Sequence, residues 1–320
     1  MLVPPPVHGD RPPGDADAPD DRVTVAVITR DRRDSLLHTL DELGTLPERP
    51  PVIVVDNGSD DTTARALRHH PSGARVLRPG ENTGALGRNL AVRRAATPYV
   101  AFSDDDSWWS PGALRRAADL LDAHPRLGLL AARTLLSPGG AEDPLNAVLA
   151  ESPLPAEADL PGRPVLGFLA CACVVRREAF LAAGGFHPVL FFGAEETLLA
   201  YDLTAGGWGV AYEPSLTAWH APAPGGRHGR SPVIRRNEVL TLWLRRPVGL
   251  ALRASARLAA AAVADRPGAR RALRELLERL PAALARRRRL PARVERAAGL
   301  LETGAEHPPP GPEEAERHGR

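Results

Sequence analysis

Asp104-Asp105-Asp106 is the densest chemical feature of the sequence. Three adjacent carboxylates in a low-dielectric cleft repel one another, and a bound divalent cation relieves that repulsion. Hard cations such as Mg²⁺ or Mn²⁺ take oxygen ligands and share carboxylates with substrate phosphates. The bland alternative is a solvated acidic turn ahead of the next helix. Asp56, in Asp56-Asn57-Gly58-Ser59-Asp60, could accept hydrogen bonds from a base or ribose, or only close an Asx-type turn. Asn82 to Asn89 (NTGALGRN) is glycine-spaced and lets backbone approach a phosphate or sugar. It is neither a Walker loop nor a dinucleotide fingerprint. Glu195-Glu196 opens a helix after Phe191-Phe192-Gly193-Ala194. Acids there complement the helix dipole or serve as a general base. His220 is a candidate metal ligand or a core histidine. Cys171 and Cys173 lack a second pair and read as core packing rather than zinc ligands.

Elements that would position these residues follow from the hydrophobic pattern. Val23–Thr29, Pro51–Val55, Ala74–Leu77 and Tyr99–Ser103 are short apolar, β-branched runs, as expected for strands buried on both faces. Helical periodicity lies between them at Asp34–Leu43, Thr62–His69 and Gly84–Ala96, and follows at Pro111–Ala123. Such alternation predicts a doubly wound, mainly parallel sheet flanked by helices. Ligands bind beyond the carboxyl ends of such strands, where Asp56 and the Asp104–Asp106 run fall. Further on, Leu135–Pro164 reads as a loop, Phe168–Val175 as a buried strand, Arg177–Ala183 and Glu195–Ala205 as helices, and Val210–Tyr212 and Leu216–Trp219 as two strands.

Composition narrows the class. The 320 residues are 43% hydrophobic and 25% charged, enough for a substantial core. A net charge of +2 disfavours a nucleic-acid binder, and no aromatic stacking platform accompanies Arg286–Arg289. Two cysteines cannot make a disulfide framework, which fits a reducing compartment. All 41 basic residues are arginine, which reads as coding bias. No apolar run reaches membrane-spanning length, and no signal-peptide pattern opens the chain. A cytoplasmic location is expected. Arg245 to Arg293 holds 14 arginines against three acids. There Arg245, Arg246, Arg253 and Arg257 with Leu250, Leu252 and Leu258 could form a basic amphipathic surface for anionic lipid at the inner face of the plasma membrane. A solvated arginine-rich tail is the alternative.

The order of motifs carries a resemblance. The segments VTVAVITR, VVDNGSDD, ENTGALGRN, YVAFSDDD, GAEETLL and GGWGVAYEPSLTAWH follow one another as in family 2 glycosyltransferases, over roughly Val23 to His220. This resemblance implies a GT-A fold and an inverting hexosyl or deoxyhexosyl transfer. The donor would be a nucleotide-sugar, UDP- or dTDP-linked by preference, and the cofactor Mg²⁺ or Mn²⁺. The acceptor hydroxyl would sit on a cell-envelope glycan or lipid-linked saccharide. By position, Thr29, Arg30 and Asp56 would line the nucleotide pocket, and Asn82, Gly84 and Arg88 the ribose and donor. Asp104 and Asp105 would meet the donor, and Asp106 would ligate the metal with Asp104 and His220. Glu196 matches the general base, with Glu195 as the alternative because the usual Asp is Glu here. Phe191, Phe192, Trp208 and Trp219 would limit water. The next acidic position of the family is Leu198, and no QxxRW segment follows, so processive synthesis is not expected. Two other readings are a sugar-phosphate nucleotidyltransferase and a degenerate sugar-nucleotide-binding scaffold. The expected organisation is a disordered leader over 1–21 and a GT-A domain over 22–244. That domain divides into a nucleotide half, 22–125, and an acceptor half, 126–244. A helical basic extension over 245–303 and a disordered tail over 304–320 follow.

Overall fold

A computed structural model describes residues 19–60, 62–222 and 231–306. Only residues 19–21 of the expected leader and 304–306 of the expected tail are described, and the latter continue the last helix. The chain alternates β1 (Val23–Thr29), α1 (Arg33–Gly44), β2 (Val52–Asp56), α2 (Thr63–His69), β3 (Arg75–Leu77), α3 (Leu86–Arg94) and β4 (Tyr99–Asp104). Then come β5 (Ser107–Trp109), α4 (Ala113–Ala123), β6 (Leu127–Leu136), β7 (Ala141–Glu142), α5 (Leu145–Ala150), β8 (Arg163–Pro164) and β9 (Cys173–Arg176). The remainder is α6 (Arg177–Ala183), α7 (Glu196–Ala205), β10 (Gly209–His220), α8 (Ser231–Arg245), α9 (Val248–Val263), α10 (Ala269–Ala285) and α11 (Ala292–Glu306).

One mixed sheet runs in the order β3-β2-β1-β4-β9-β6-β10-β5, with β7 beside β6 and β8 beside β10. The first four strands of that order are parallel, and β9 and β5 run antiparallel to their neighbours. β1 is buried at every position, so seven β-branched and small apolar residues gain from dehydration on both faces. Its register pairs Thr29 with Asp56 and Ile28 with Asp104. The carboxyl ends of β1, β2 and β4 therefore lie abreast, which brings two acidic sequence motifs to one edge.

Three expectations change. Phe168–Val175 is not one strand: a 3₁₀ turn, Ala170–Ala172, precedes the four-residue β9. The two strands expected over 210–219 are one twelve-residue strand, β10, bent by a register shift between Glu213 and Thr217. The expected loop over 135–164 contains the end of β6 together with β7, α5 and β8. The boundary expected at 244/245 coincides with the end of α8.

α8, α9 and α10 pack into a three-helix bundle whose core includes Leu240, Leu244, Ala251, Leu258 and Leu276 with Leu190 and Leu198 from the acceptor half. This helical region is thus continuous with the sheet domain. The basic surface expected at its start does not assemble. Arg245 and Arg246 are buried: Arg245 Nε lies 2.6 Å from Asp202, and Arg246 pairs with Glu295 at 2.9 Å and Glu302 at 2.8 Å. Leu258 is also buried, and only Leu252, Arg253 and Arg257 of that set are exposed.

Candidate active site

β4 ends at Asp104 and turns immediately into β5, so Asp104, Asp105 and Asp106 occupy a tight connection at the sheet edge. Ser107 Oγ accepts from the Asp104 N–H at 2.7 Å. The Asp105 carbonyl accepts from Ser35 Oγ at 2.8 Å and Thr39 Oγ1 at 3.0 Å, both on α1. The antiparallel register of β10 on β5 sets His220 opposite Ser107, and the Ala221 N–H donates to the Asp106 carbonyl at 2.8 Å. Two strands distant in sequence thereby deliver Asp106 and His220 to one point. Asp106 Oδ1 and His220 Nε2 are 3.6 Å apart.

A cleft of about 270 Å³ opens here, lined by Ile28, Thr29, Arg30, Arg32, Asn57, Asn82, Gly84, Asp104–Asp106, Phe191, Phe192 and His220. Of the residues singled out from the sequence, Thr29, Arg30, Asn82, Gly84, the three aspartates and His220 meet in this cleft. Thr29 Oγ1 donates to Asp105 Oδ2 at 2.9 Å. The Asn82 loop docks through backbone: the Ala85 N–H donates to the Phe191 carbonyl at 2.8 Å. Gly84 has φ +57°, and a Cβ there would lie 2.4 Å from that carbonyl oxygen, so only glycine fits.

Asp56, Arg88, Glu195 and Glu196 do not line the cleft. Asp56 is fully buried, accepts from the Ser59 N–H at 2.9 Å and pairs with Arg78 Nε at 2.9 Å. Its neighbour Asn57 faces the cleft instead and braces the glycine loop, donating to the Gly84 carbonyl at 3.1 Å and accepting from Thr83 Oγ1 at 2.7 Å. Arg88 is buried beneath the site, pairs with Asp104, and lies 3.6 Å from Glu195. Its guanidinium stands 5.5 Å from the Phe186 ring centroid. Of the four aromatic residues expected to exclude water, Phe191 and Phe192 do line the cleft. Trp208 packs against the Gly128 side of the sheet, and Trp219 donates to Ser110 Oγ at 2.9 Å. Arg32 and Asn57 were not legible as site residues, since only tertiary packing turns them inward.

Burial and charge tune the acids. Desolvation pushes the Asp105 carboxyl up to about 7, helped by Asp106 and Asp104 and opposed by Arg32. Glu195 is buried, with one carboxylate oxygen lacking a hydrogen-bond partner, and desolvation together with Glu196 pushes it up to about 8. Glu196 is also raised, chiefly by desolvation. Burial works against the Arg88 cation, yet Asp104, Glu195 and Glu196 hold it protonated. Asp105 and Glu195 are thus buried carboxyls raised well above the usual carboxylate range, with Arg32 and Arg88 beside them.

The chain matches the profile named glycosyl transferase family 2 over residues 24–182. A curated relative, the N-acetylglucosaminyl-diphospho-decaprenol L-rhamnosyltransferase of Mycobacterium tuberculosis, is 28% identical over 277 residues, covering 73% of this chain and 90% of the relative. This protein belongs to glycosyltransferase family 2. The glycosyltransferase also superposes on a mannosyltransferase from Pyrobaculum calidifontis, solved in complex with GDP-Man and Mn²⁺. The TM-score is 0.57 at 25% identity, over 90% of this chain and 82% of that one. S. aureus TarS, residues 1–349, shares the fold at TM-score 0.54 and 18% identity, over 81% of this glycosyltransferase and 71% of that chain. The GT-A class, the mostly parallel sheet and the glycosyltransferase activity expected from the motif order all stand. The nucleotidyltransferase and scaffold readings fall with that assignment.

Proposed function

We propose that this glycosyltransferase moves a hexosyl or deoxyhexosyl group from a nucleotide-sugar, UDP- or dTDP-linked by preference, to a hydroxyl of a lipid-linked saccharide. The transfer inverts the anomeric centre and is non-processive. The observation that carries the reading is convergence. Residues from the ends of β1, β4 and β10, with the glycine loop before α3, line one cleft that holds carboxylates, an imidazole and close-approach backbone. Support for the acceptor comes from the rhamnosyltransferase relative, whose name specifies a diphospho-decaprenol saccharide.

The residues fit a divalent ion in part. Asp106 and His220 offer an oxygen and an imidazole nitrogen, a donor pair suited to Mn²⁺. His220 Nδ1 is buried without a hydrogen-bond partner, so no neighbour fixes the ring away from the cleft. Among the described residues no group of three His, Cys, Asp or Glu closes on one point, so the remaining ligands would be substrate oxygens and water. When bound, the ion would act as a Lewis acid on the departing diphosphate. Asp106 and His220 would hold it, with Asp104 alongside.

The other steps belong to the chain. Asn82, Gly84 and the loop backbone seat the ribose and sugar, and Thr29, Arg30 and Asn57 seat the nucleotide. Phe191 and Phe192 keep competing water out. Glu196, in the first turn of α7 and just outside the cleft lining, takes the acceptor proton, the role its place in the motif order gives it, and desolvation raises its affinity for protons. Glu195, turned inward to Arg88, positions that helix start. The test is a transfer assay with UDP-, dTDP- and GDP-sugars on a lipid-linked N-acetylglucosamine acceptor, with the product anomer read by NMR. Inverted product is expected, and Glu196→Gln should lower kcat by about 10²–10⁴-fold. A Glu196→Gln enzyme with wild-type kcat would remove the base assignment, and retained stereochemistry would overturn direct displacement.

A further inference from the structure

Arg32 belongs to none of the motifs above, yet it makes the central contact of the acid run. It precedes α1, and its carbonyl accepts from the Leu36 N–H at 3.0 Å. Its Nη1 lies 2.8 Å from Asp105 Oδ1 and 2.8 Å from Asp106 Oδ2. One guanidinium therefore bridges the two acids. The side chain is 33% exposed and forms part of the cleft wall, so its head is in reach of a ligand entering the cleft. Beneath, Arg88 neutralises Asp104. Three carboxylates and two guanidiniums leave the cluster with one net negative charge when all five groups are ionised.

That balance has a consequence for binding order. A bare divalent ion reaching Asp106 meets Arg32 a few ångströms away, and cations so close in a partly desolvated cleft repel strongly. A donor diphosphate reverses the balance by adding negative charge beside the arginine. Guanidinium matches phosphate oxygens with paired N–H donors. Resting on the nucleotide-sugar reading, we propose that Arg32 is a positioning residue that stands in for the divalent ion between Asp105 and Asp106. When the donor arrives it passes to the diphosphate and frees Asp106. Donor and ion then bind with positive coupling, and each must strengthen the other by the same factor.

The experiment uses full-length protein and two simple probes. MnCl₂ binding is measured by electron paramagnetic resonance, and inorganic pyrophosphate binding by calorimetry, in wild type, Arg32→Gln and Arg32→Lys. Circular dichroism melting confirms folding of each. Arg32→Gln should bind Mn²⁺ alone about tenfold more tightly than wild type and pyrophosphate alone about tenfold more weakly. Arg32→Lys keeps the positive charge and should keep the weak Mn²⁺ binding. Unchanged or weaker Mn²⁺ binding by Arg32→Gln overturns the stand-in role. Tight Mn²⁺ binding by Arg32→Lys shows that charge is not the cause, and also overturns it. If wild type takes up neither probe, singly or together, the donor-and-metal reading itself fails, a result distinct from failure of the Arg32 inference alone.

Discussion

Glu195 and Glu196 are adjacent in sequence and differ in surroundings. Glu195 is 3% exposed and faces Arg88, while Glu196 is less enclosed at the start of α7. A pair of acids after an aromatic-glycine segment is visible in the sequence. Which of them is enclosed is not, because the burial of Glu195 against Arg88 of α3 makes the difference. The same holds for Arg32, whose role depends on α1 lying against the β4–β5 connection. Glu195 also yields a pH prediction. Its carboxyl is raised to about 8 in the folded chain, mainly by desolvation. The folded state therefore holds a proton that the unfolded state releases near the ordinary value. Stability from this group is fully present below that ordinary value and is lost as pH rises toward 8. Glu195→Gln removes the titration, so its Tm should fall less than wild type's between pH 5 and pH 9. Parallel melting curves for the two proteins across that range would contradict the buried-acid assignment.

At the scale of elements, legibility follows strand environment. β1, β2 and β4 are central and parallel, buried on both faces, and their β-branched runs announce them. β6 reads LGLLAARTLL, a leucine-alanine mix that fits a helix as well as a strand, and only its place between β9 and β10 decides. β5 is three residues long and β9 four, too short for periodicity to show. The glycine loop was legible as a close-approach segment, but its partner, the Phe191 carbonyl, was not. Phe191 itself has φ +67°, so strain is shared by both sides of this contact. Gly84→Ala should destabilise the protein by at least about 1–2 kcal/mol from the left-handed backbone alone, before the clash with Phe191. Urea unfolding should register that loss, and the donor KM should rise because the loop no longer seats. A Gly84→Ala protein with wild-type stability and KM would show that the loop does not dock as described.

The whole molecule resolves a charge pattern that the sequence left open. From sequence, the arginine-rich stretch from Arg245 reads as a basic amphipathic surface or a solvated tail. Its first two arginines are instead buried ties, Arg245 to Asp202 on α7 and Arg246 to Glu295 and Glu302 on α11. Arg287 likewise turns inward and donates to the Trp243 and Arg246 carbonyls. Both partners of the Arg245–Asp202 pair are removed from water, so losing one costs far more than the pair itself contributes, whereas the Arg246 pairs reach the surface through half-exposed Glu302. The bundle thus fixes the far end of the helix that begins at Glu196. No helix among the described residues is long and apolar enough to cross a membrane. In the proposed function, a nucleoside diphosphate and a divalent ion meet at Asp106 and His220. Thermal unfolding with UDP, dTDP and GDP, each with and without Mn²⁺, in wild type and Asp106→Ala, tests it most directly. Ligands that bind the folded state raise Tm by mass action. A Mn²⁺-dependent rise is expected for one nucleotide, and Asp106→Ala should abolish it. A rise that persists in Asp106→Ala, or no rise with any nucleotide, would contradict it.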